Sequence, residues 1–277
     1  MSPEALAPEL IATSISRTFL PRLRRTHDRR RISVFAGPPG VGKSTSLRVF
    51  RAEAPWCIGM VSVPPGPRGG LKPAAVLHLA IEALMDLTRP STLRDRLPSG
   101  FTELRHRLFG LVCEWAGLST YDARRDGVEV GEFSPLTLIF DEAQNLSPEA
   151  IETLRFLNDA AGGFSPLPLG LIFVGNNEFV LKSDRSGHSV LSSAVADRAL
   201  YTETYSYSDV TDDDLALFFE ARGIVDPAAL RQVIRYFGGG RADRSFRRAA
   251  DLAAELLEEA GDGQVTEAVA REILSLV

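Results

Sequence analysis

Cysteine is scarce in this chain: Cys57 and Cys113 are the only two, far apart and with no His or Cys at ligand spacing. That argues against a zinc centre, and two free thiols fit a reducing, cytoplasmic compartment. Long hydrophobic runs are missing too. Nothing approaches the ~18 continuous apolar residues that a membrane span needs, so no membrane association is expected. The N-terminus carries acids and prolines where a secretory signal has a basic run and an apolar stretch. Positive charge is not in excess: 31 Lys and Arg face 36 Asp and Glu, for a net charge of −5. A global basic footprint for nucleic acid is therefore absent, and any such binding must use local patches. One patch stands out: Arg22, Arg24, Arg25, Arg29, Arg30 and Arg31. Internal repeats and low-complexity tracts are also lacking.

What remains is an ordinary globular composition, 44% hydrophobic and 24% charged, over 277 residues. It suits one or two domains with a core that needs no staple. Apolar runs at 32–36, 56–63, 136–140 and 169–174 read as buried strands. Helical periodicity lies between them, as in Val76, Leu77, Ala80, Ile81, Leu84 and Met85 over 72–87, and again over 101–116. Ser147-Pro148-Glu149 opens another helix, with Ser as N-cap and Pro at the first helical position; it runs to Gly162-Gly163. Residues 117–134 read as a surface loop. Strands alternating with helices predict an α/β fold, a mostly parallel sheet with helices on both faces. The strand pattern stops at Ser206. Thr211 and Asp226 then cap helices, and 244–260 and 266–276 are helical. The expected organisation is a helical and basic segment over 1–31, an α/β nucleotide-binding domain over 32–205 and an all-helical lid over 206–277.

Between the first strand and its helix stands Gly37-Pro38-Pro39-Gly40-Val41-Gly42-Lys43-Ser44, followed by Thr45. This is the P-loop pattern in the strand–loop–helix context that supports it. Glycines let backbone N–H groups surround phosphates, and the helix N-terminus adds favourable charge. Lys43 is expected to reach the outer phosphates of ATP, and Ser44 to offer its hydroxyl to Mg²⁺. A second, metal-organising carboxylate belongs at the end of a neighbouring strand. Asp141 fits, and Glu142 beside it can act as general base on the attacking water, which predicts an ATPase. Asn176, after the fourth strand, can help place that water, with Asn177 as a turn residue. Arg198 can stabilise transition-state charge in a neighbouring subunit's site. Gly238-Gly239-Gly240-Arg241-Ala242-Asp243-Arg244 opens a lid helix, where Arg244 is the first choice to sense nucleotide, with Arg241, Arg247 and Arg248 competing.

Gly37–Ser44, Asp141-Glu142-Ala143-Gln144-Asn145-Leu146, Val174-Gly175-Asn176, Arg198 and the glycine-then-arginine lid helix together resemble an AAA+ ATPase. Asp-Glu-Ala-Gln-x-Leu before a capped helix, followed by Val-Gly-Asn, is similar to the transposition-regulator branch, which holds the phage Mu B protein and TniB-type ATPases. The likeness spans about residues 15–255. It implies a three-layer parallel-sheet core with a helical lid, ATP and Mg²⁺ as cofactors, and self-association into a ring or helical filament on double-stranded DNA. It further implies target selection and activation of a DDE-type transposase. Candidate DNA contacts under this reading are Arg24, Arg29, Arg30, Arg68 and Lys72. The Mu protein has a separate N-terminal helix-turn-helix domain, for which the first thirty or so residues here leave no room. The alternatives are a secretion-type ATPase acting on a protein, or a helicase-loader or initiator-like ATPase.

Overall fold

The structure, a computed structural model, describes residues 11–88, 97–115, 135–158, 169–181, 191–239, 243–261 and 263–276. The expected loop at 117–134, the helix stop at Gly162-Gly163 and the competing Arg241 lie outside these. The chain forms two compact units, one of Met1–Leu20, Gly37–Val49 and Tyr205–Val277, the other of Pro21–Ala36 and Phe50–Thr204.

The second unit holds a five-stranded, wholly parallel sheet in the order β2-β3-β4-β1-β5. Its strands are β1 (Ile32–Ala36), β2 (Ile58–Ser62), β3 (Leu136–Asp141), β4 (Leu169–Gly175) and β5 (Ala199–Thr204). Successive side chains point to opposite faces of a strand, and the core divides accordingly. Ile32, Val34, Leu138, Phe140, Leu171 and Phe173 face one cluster. It is completed by α3 (Pro73–Thr88), α4 (Phe101–Trp115) and α5 (Pro148–Asn158) through Leu77, Ile81, Leu108, Ile151 and Leu154. On the other face Ser33 Oγ meets Thr26 Oγ1 at 2.7 Å, and Thr137 Oγ1 lies 2.8 Å from His27 Nδ1. Both partners belong to α1 (Ser14–Asp28). Burial holds the His27 imidazole below its ordinary pKa and pushes the adjoining Cys57 thiol up.

Part of the arginine patch is helical: α1 is one helix that runs through Arg22, Arg24 and Arg25, with Pro21 inside it. One expectation changes here: the sheet has a fifth strand beyond the four expected. Ala-Leu-Tyr-Thr-Glu-Thr carries no apolar run because β5 is an edge strand, paired among the described residues with β1 alone and nowhere fully buried. Edge strands need not be apolar on both faces.

The first unit contains the start of α1, the loop and first turns of α2 (Lys43–Glu53), and four helices. These are α8 (Asp212–Glu220), α9 (Pro227–Gly238), α10 (Phe246–Ala260) and α11 (Glu267–Leu276). Thr211, Asp226 and Ser245 cap the first three, each side chain accepting a first-turn N–H. Leu215, Phe219, Val233, Phe237, Ala249 and Leu256 form the core of the bundle. Its buried acid, Asp214, is satisfied: Oδ1 accepts from Ser14 N at 2.7 Å and Ser14 Oγ at 3.1 Å, and Oδ2 from Thr211 N at 3.0 Å. Two short helices, α6 (Asn177–Leu181) and α7 (Ser193–Arg198), belong to the sheet unit.

Candidate functional site

The glycine-rich loop begins at Gly37, directly after the last residue of β1, and Lys43 already opens α2. Gly40 and Gly42 take φ of 81° and 98°, the left-handed region that disfavours other residues. Lys43 is buried, and its ammonium donates to the carbonyls of Gly37 at 2.6 Å and Pro38 at 2.8 Å. The loop is joined to α10 within the same unit. Phe246 N–H donates to Gly40 O at 2.8 Å, and the Tyr207 hydroxyl to Pro39 O at 3.3 Å. The approach is close: a Cβ on Gly40 would stand 2.0 Å from Ser245 Oγ. Pro38, Pro39, Val41, Ser44 and Thr45 complete the loop and first helical turn, with Ser44 exposed. Left-handed glycines, a helix N-terminus and a lysine ammonium in one short loop are a donor set for a polyphosphate.

In the sheet unit, the register sets Ser62 beside Asp141, Asp141 beside Val174, and Gly175 beside Ala36. All lie at the carboxyl ends of their strands. With β4 between them, Asp141 and the end of β1 are two strand spacings apart, about 10 Å. Asp141 is buried, and its Oδ1 accepts the Glu142 N–H at 3.0 Å. Glu142 is exposed and left-handed, φ 59° and ψ 38°, a conformation that costs a non-glycine residue about 1–3 kcal/mol. Asp141 is buried and Glu142 exposed, so the adjacent acids stand in different surroundings and can take different roles. Among the described residues no cluster of three or more His, Cys, Asp or Glu could cage a metal. A single strand-end carboxylate such as Asp141 suits Mg²⁺, which commonly takes one or two protein oxygens and completes its shell with phosphate and water.

Asn176 follows β4, and its side-chain oxygen is buried without a hydrogen-bond partner among the described residues. An unmatched buried acceptor costs about 1–3 kcal/mol, which marks the position as more than a turn. Asn177 is the first residue of α6, and its side-chain oxygen is unmatched in the same way. Sequence reasoning missed Gln144. It lies in the 3-10 turn Ala143–Asn145, donates to Glu142 Oε2 and accepts the Asn176 N–H at 3.1 Å. Its place two residues past the acid was the available signal.

Arg198 ends α7 and is exposed, its Nη1 donating to Ala194 O at 3.3 Å. The next residue, Ala199, pairs with Ile32 at the amino end of the sheet. Five residue steps of β5, about 17 Å, therefore separate Arg198 from the carboxyl edge that holds Asp141. The structure does not bring it to the Glu142 of its own chain. Its helix is seated by Ser192, which caps α7 and donates to Glu152 of α5. Burial opposes ionisation of Glu152, but hydrogen bonds from Ser192 and Arg155 hold its carboxyl below the usual value. In the helical C-terminal region, the Arg244 guanidinium pairs with Asp212 at 2.6 Å and donates to Val210 O at 3.0 Å. Arg247, one turn on and exposed, has its Cβ 3.3 Å from where a Gly40 Cβ would be.

The basic candidates fare differently. Arg24 is held by Glu53 through two bonds of 2.9 and 2.6 Å, and Arg22 pairs with Glu203. Arg30 is left-handed at φ 53°. Lys72 faces Glu149 at 3.8 Å. Arg29 and Arg68 are exposed and enter no ion pair among the described residues.

Residues 25–181 match the model of a protein family described as an AAA domain, over half of the chain. No curated protein matches. Among solved structures, a mutant RuvB from Thermotoga maritima is 14% identical with a TM-score of 0.54, covering 95% of this chain and 68% of that one. Cdc6p from Pyrobaculum aerophilum is 18% identical with a TM-score of 0.56, covering 94% and 63%. At such identities the likeness is one of fold: a parallel sheet with flanking helices and a helical C-terminal region. The present chain spans about two thirds of the length of either.

Proposed function

Because the chain belongs to the AAA domain family, P-loop ATPases of AAA+ fold, we propose that it hydrolyses ATP while assembled on double-stranded DNA, and there selects the target for, and activates, a DDE-type transposase. Lys43 and the loop N–H groups bind the outer phosphates, with Lys43 exchanging its two loop carbonyls for them. Ser44 and Asp141 hold Mg²⁺, which when bound offsets the negative charge that builds on the phosphates. Glu142 accepts the proton of the attacking water, and Asn176 orients that water through its unmatched amide oxygen. Arg198 serves the site of an adjacent subunit, since its own lies at the far end of β5. Arg244 exchanges Asp212 for nucleotide when the lid responds, and Arg247 is its competitor beside Gly40.

One observation carries the DNA half of this reading. The loop after β2, with exposed Arg68, is tied to the turn that follows Asp141-Glu142. Leu71 N–H donates to Asn145 O at 2.7 Å, Ser147 N–H to Leu71 O at 3.1 Å, and Asn145 Nδ2 to Val63 O at 3.0 Å. Gly70, at φ 84°, leaves no room for a Cβ, which would stand 2.5 Å from the Leu146 backbone. A phosphate contact at Arg68 is thereby linked to the carboxylates that act on ATP, which favours Arg68 over Arg24 as a DNA contact. Among the described residues no helix is long and apolar enough to cross a membrane.

The test is co-sedimentation and electron microscopy with duplex DNA and a slowly hydrolysed ATP analogue. Ordered assemblies that need nucleotide and weaken with salt are expected. Glu142→Gln should stabilise them with ATP itself, and Arg68→Ala should reduce the slope of log affinity against log salt by about 0.9 for each DNA phosphate that is no longer neutralised. Normal ATP turnover with no DNA binding under any nucleotide would sink the proposal.

A further inference from the structure

The turn after β3 holds a side chain that the hydrolysis scheme above does not use. Gln144 stands between two of its parts. One end of its amide, Nε2, donates to Glu142 Oε2; the other, Oε1, accepts the Asn176 N–H at 3.1 Å. The orientation follows from the partners. A flipped amide would set NH₂ against the Asn176 N–H and its oxygen against a carboxylate, two repulsive contacts in place of two bonds. Glutamine is suited to this place, because a carboxylate has no donor for Glu142 and an ammonium no acceptor for Asn176.

The surroundings are shaped around this bridge. A Cβ on Gly175 would lie 3.0 Å from Gln144 Oε1 and 2.9 Å from the Phe179 Cβ, so the residue before Asn176 has to be small for the amide to reach the strand end. Asn145, next to Gln144, is anchored by its N–H to Glu142 O at 3.0 Å and by its side chain to Val63 O at 3.0 Å. Glu142 itself is exposed and left-handed. Without a second tether its carboxylate, on a three-torsion side chain, would sample many rotamers.

We propose that Gln144 is a positioning residue for ATP hydrolysis: its amide holds the Glu142 carboxylate in its working rotamer and links it to the tip of β4, so that a shift of Asn176 is passed to the general base. Asn176 orients the attacking water through its side chain and meets Gln144 through its backbone N–H, so the two contacts do not compete. This inference rests on Glu142 being the base, as proposed above.

The experiment is steady-state ATP turnover of the full chain, with affinity for a fluorescent ATP analogue measured separately. Gln144→Ala should lower kcat about 10- to 100-fold, less than loss of the base itself, with analogue affinity within two-fold of the parent. Gln144→Glu keeps the acceptor for Asn176 but sets a second carboxylate against Glu142 in place of a donor. It should lose kcat at least as far as Gln144→Ala while analogue affinity holds, a kcat-against-affinity split that a purely structural role would not produce. Glu142→Gln with and without Gln144→Ala separates the possible failures. If Glu142→Gln is inactive and adding Gln144→Ala costs nothing further, the two act as one unit. If Glu142→Gln is inactive while Gln144→Ala turns over at the parental rate, or loses rate and affinity in equal measure, the positioning role is wrong and the base stands. If Glu142→Gln retains parental turnover, both fall.

Discussion

Gly40 offers a quantitative test of how the phosphate loop is built. Two separate penalties meet there. At φ 81° an alanine pays the left-handed cost of about 1–2 kcal/mol. Its Cβ also lands 2.0 Å from Ser245 Oγ and 3.2 Å from Ser245 Cβ, an overlap that something must shift to relieve. Overpacking of this kind costs about 1–3 kcal/mol. Gly40→Ala should therefore destabilise the protein by about 2–5 kcal/mol and disturb the Phe246 N–H to Gly40 O bond. The second penalty belongs mainly to Ser245, the remaining neighbour being Arg247 Cβ at 3.3 Å. Ser245→Gly costs only a few tenths of a kcal/mol by itself, because glycine is a tolerated N-cap for α10. In the Gly40→Ala background it should instead restore most of about 1–3 kcal/mol, by removing both Ser245 atoms that the new Cβ meets. That is roughly 2–12 °C of melting temperature at about 2–4 °C per kcal/mol. Thermal unfolding of the four variants measures the coupling. Additive effects would show that Gly40 is there for its backbone freedom alone and that the seating of α10 on the loop has no energetic weight.

Arg198→Ala should lower turnover about 10³-fold or more if it is supplied across a subunit boundary. Mixing it with equally inactive Glu142→Gln should then recover activity, as intact Glu142 meets intact Arg198 in hybrid assemblies; a mixture as inactive as its parts would refute service in trans. His27 predicts a pH dependence of stability. Its folded pKa is lowered, mainly by burial, below the ordinary value of about 6.5. The unfolded chain then binds a proton that the folded one refuses. This contribution is complete above about pH 6.5 and is lost as pH falls toward the folded value. Melting temperature should drop as pH falls below about 6.5, and the drop should be smaller in His27→Gln; parallel curves would clear His27 of the effect.

The parts legible in the sequence are those in which function and local pattern coincide. Gly37–Ser44 announces itself because the phosphate loop needs glycines, a lysine and a hydroxyl at fixed spacing, and all of them are consecutive. Asp141 and Asn176 were legible from their places after apolar runs, since β3 and β4 are buried on both faces. Thr211 and Asp226 were legible as caps because capping is a three-residue affair. What escaped depended on distant partners. β5 is polar enough to hide because, among the described residues, it pairs with a strand on one edge only, β1. Arg24 carries the same charge as Arg29 in the sequence, and only Glu53, 29 positions on, distinguishes them. Nothing near Arg244 in the sequence shows that Asp212 and the Val210 carbonyl hold its guanidinium. The left-handed Glu142 was invisible for a similar reason: a strained backbone is set by what surrounds it, not by its own side chain.

The same distinction explains why the turn Ala143–Asn145 matters more than its three residues suggest. Asn145 binds the loop after β2 through Val63 and Leu71, and Gln144 binds both Glu142 and the residue after β4. Three strand ends, from β2, β3 and β4, therefore meet in one short segment. Each bond is worth only about 0.5–1.5 kcal/mol net, more where a carboxylate accepts. Their effect is geometric. With Glu142 already strained into one backbone conformation, and its neighbours anchored on two sides, the carboxylate cannot shift without moving either the β2 loop or the tip of β4. Motion at Arg68 or at Asn176 then changes the position of the same acid. A contact with DNA phosphate and a contact with nucleotide phosphate would so act on hydrolysis through a common element, a coupling that neither motif, taken singly, would disclose.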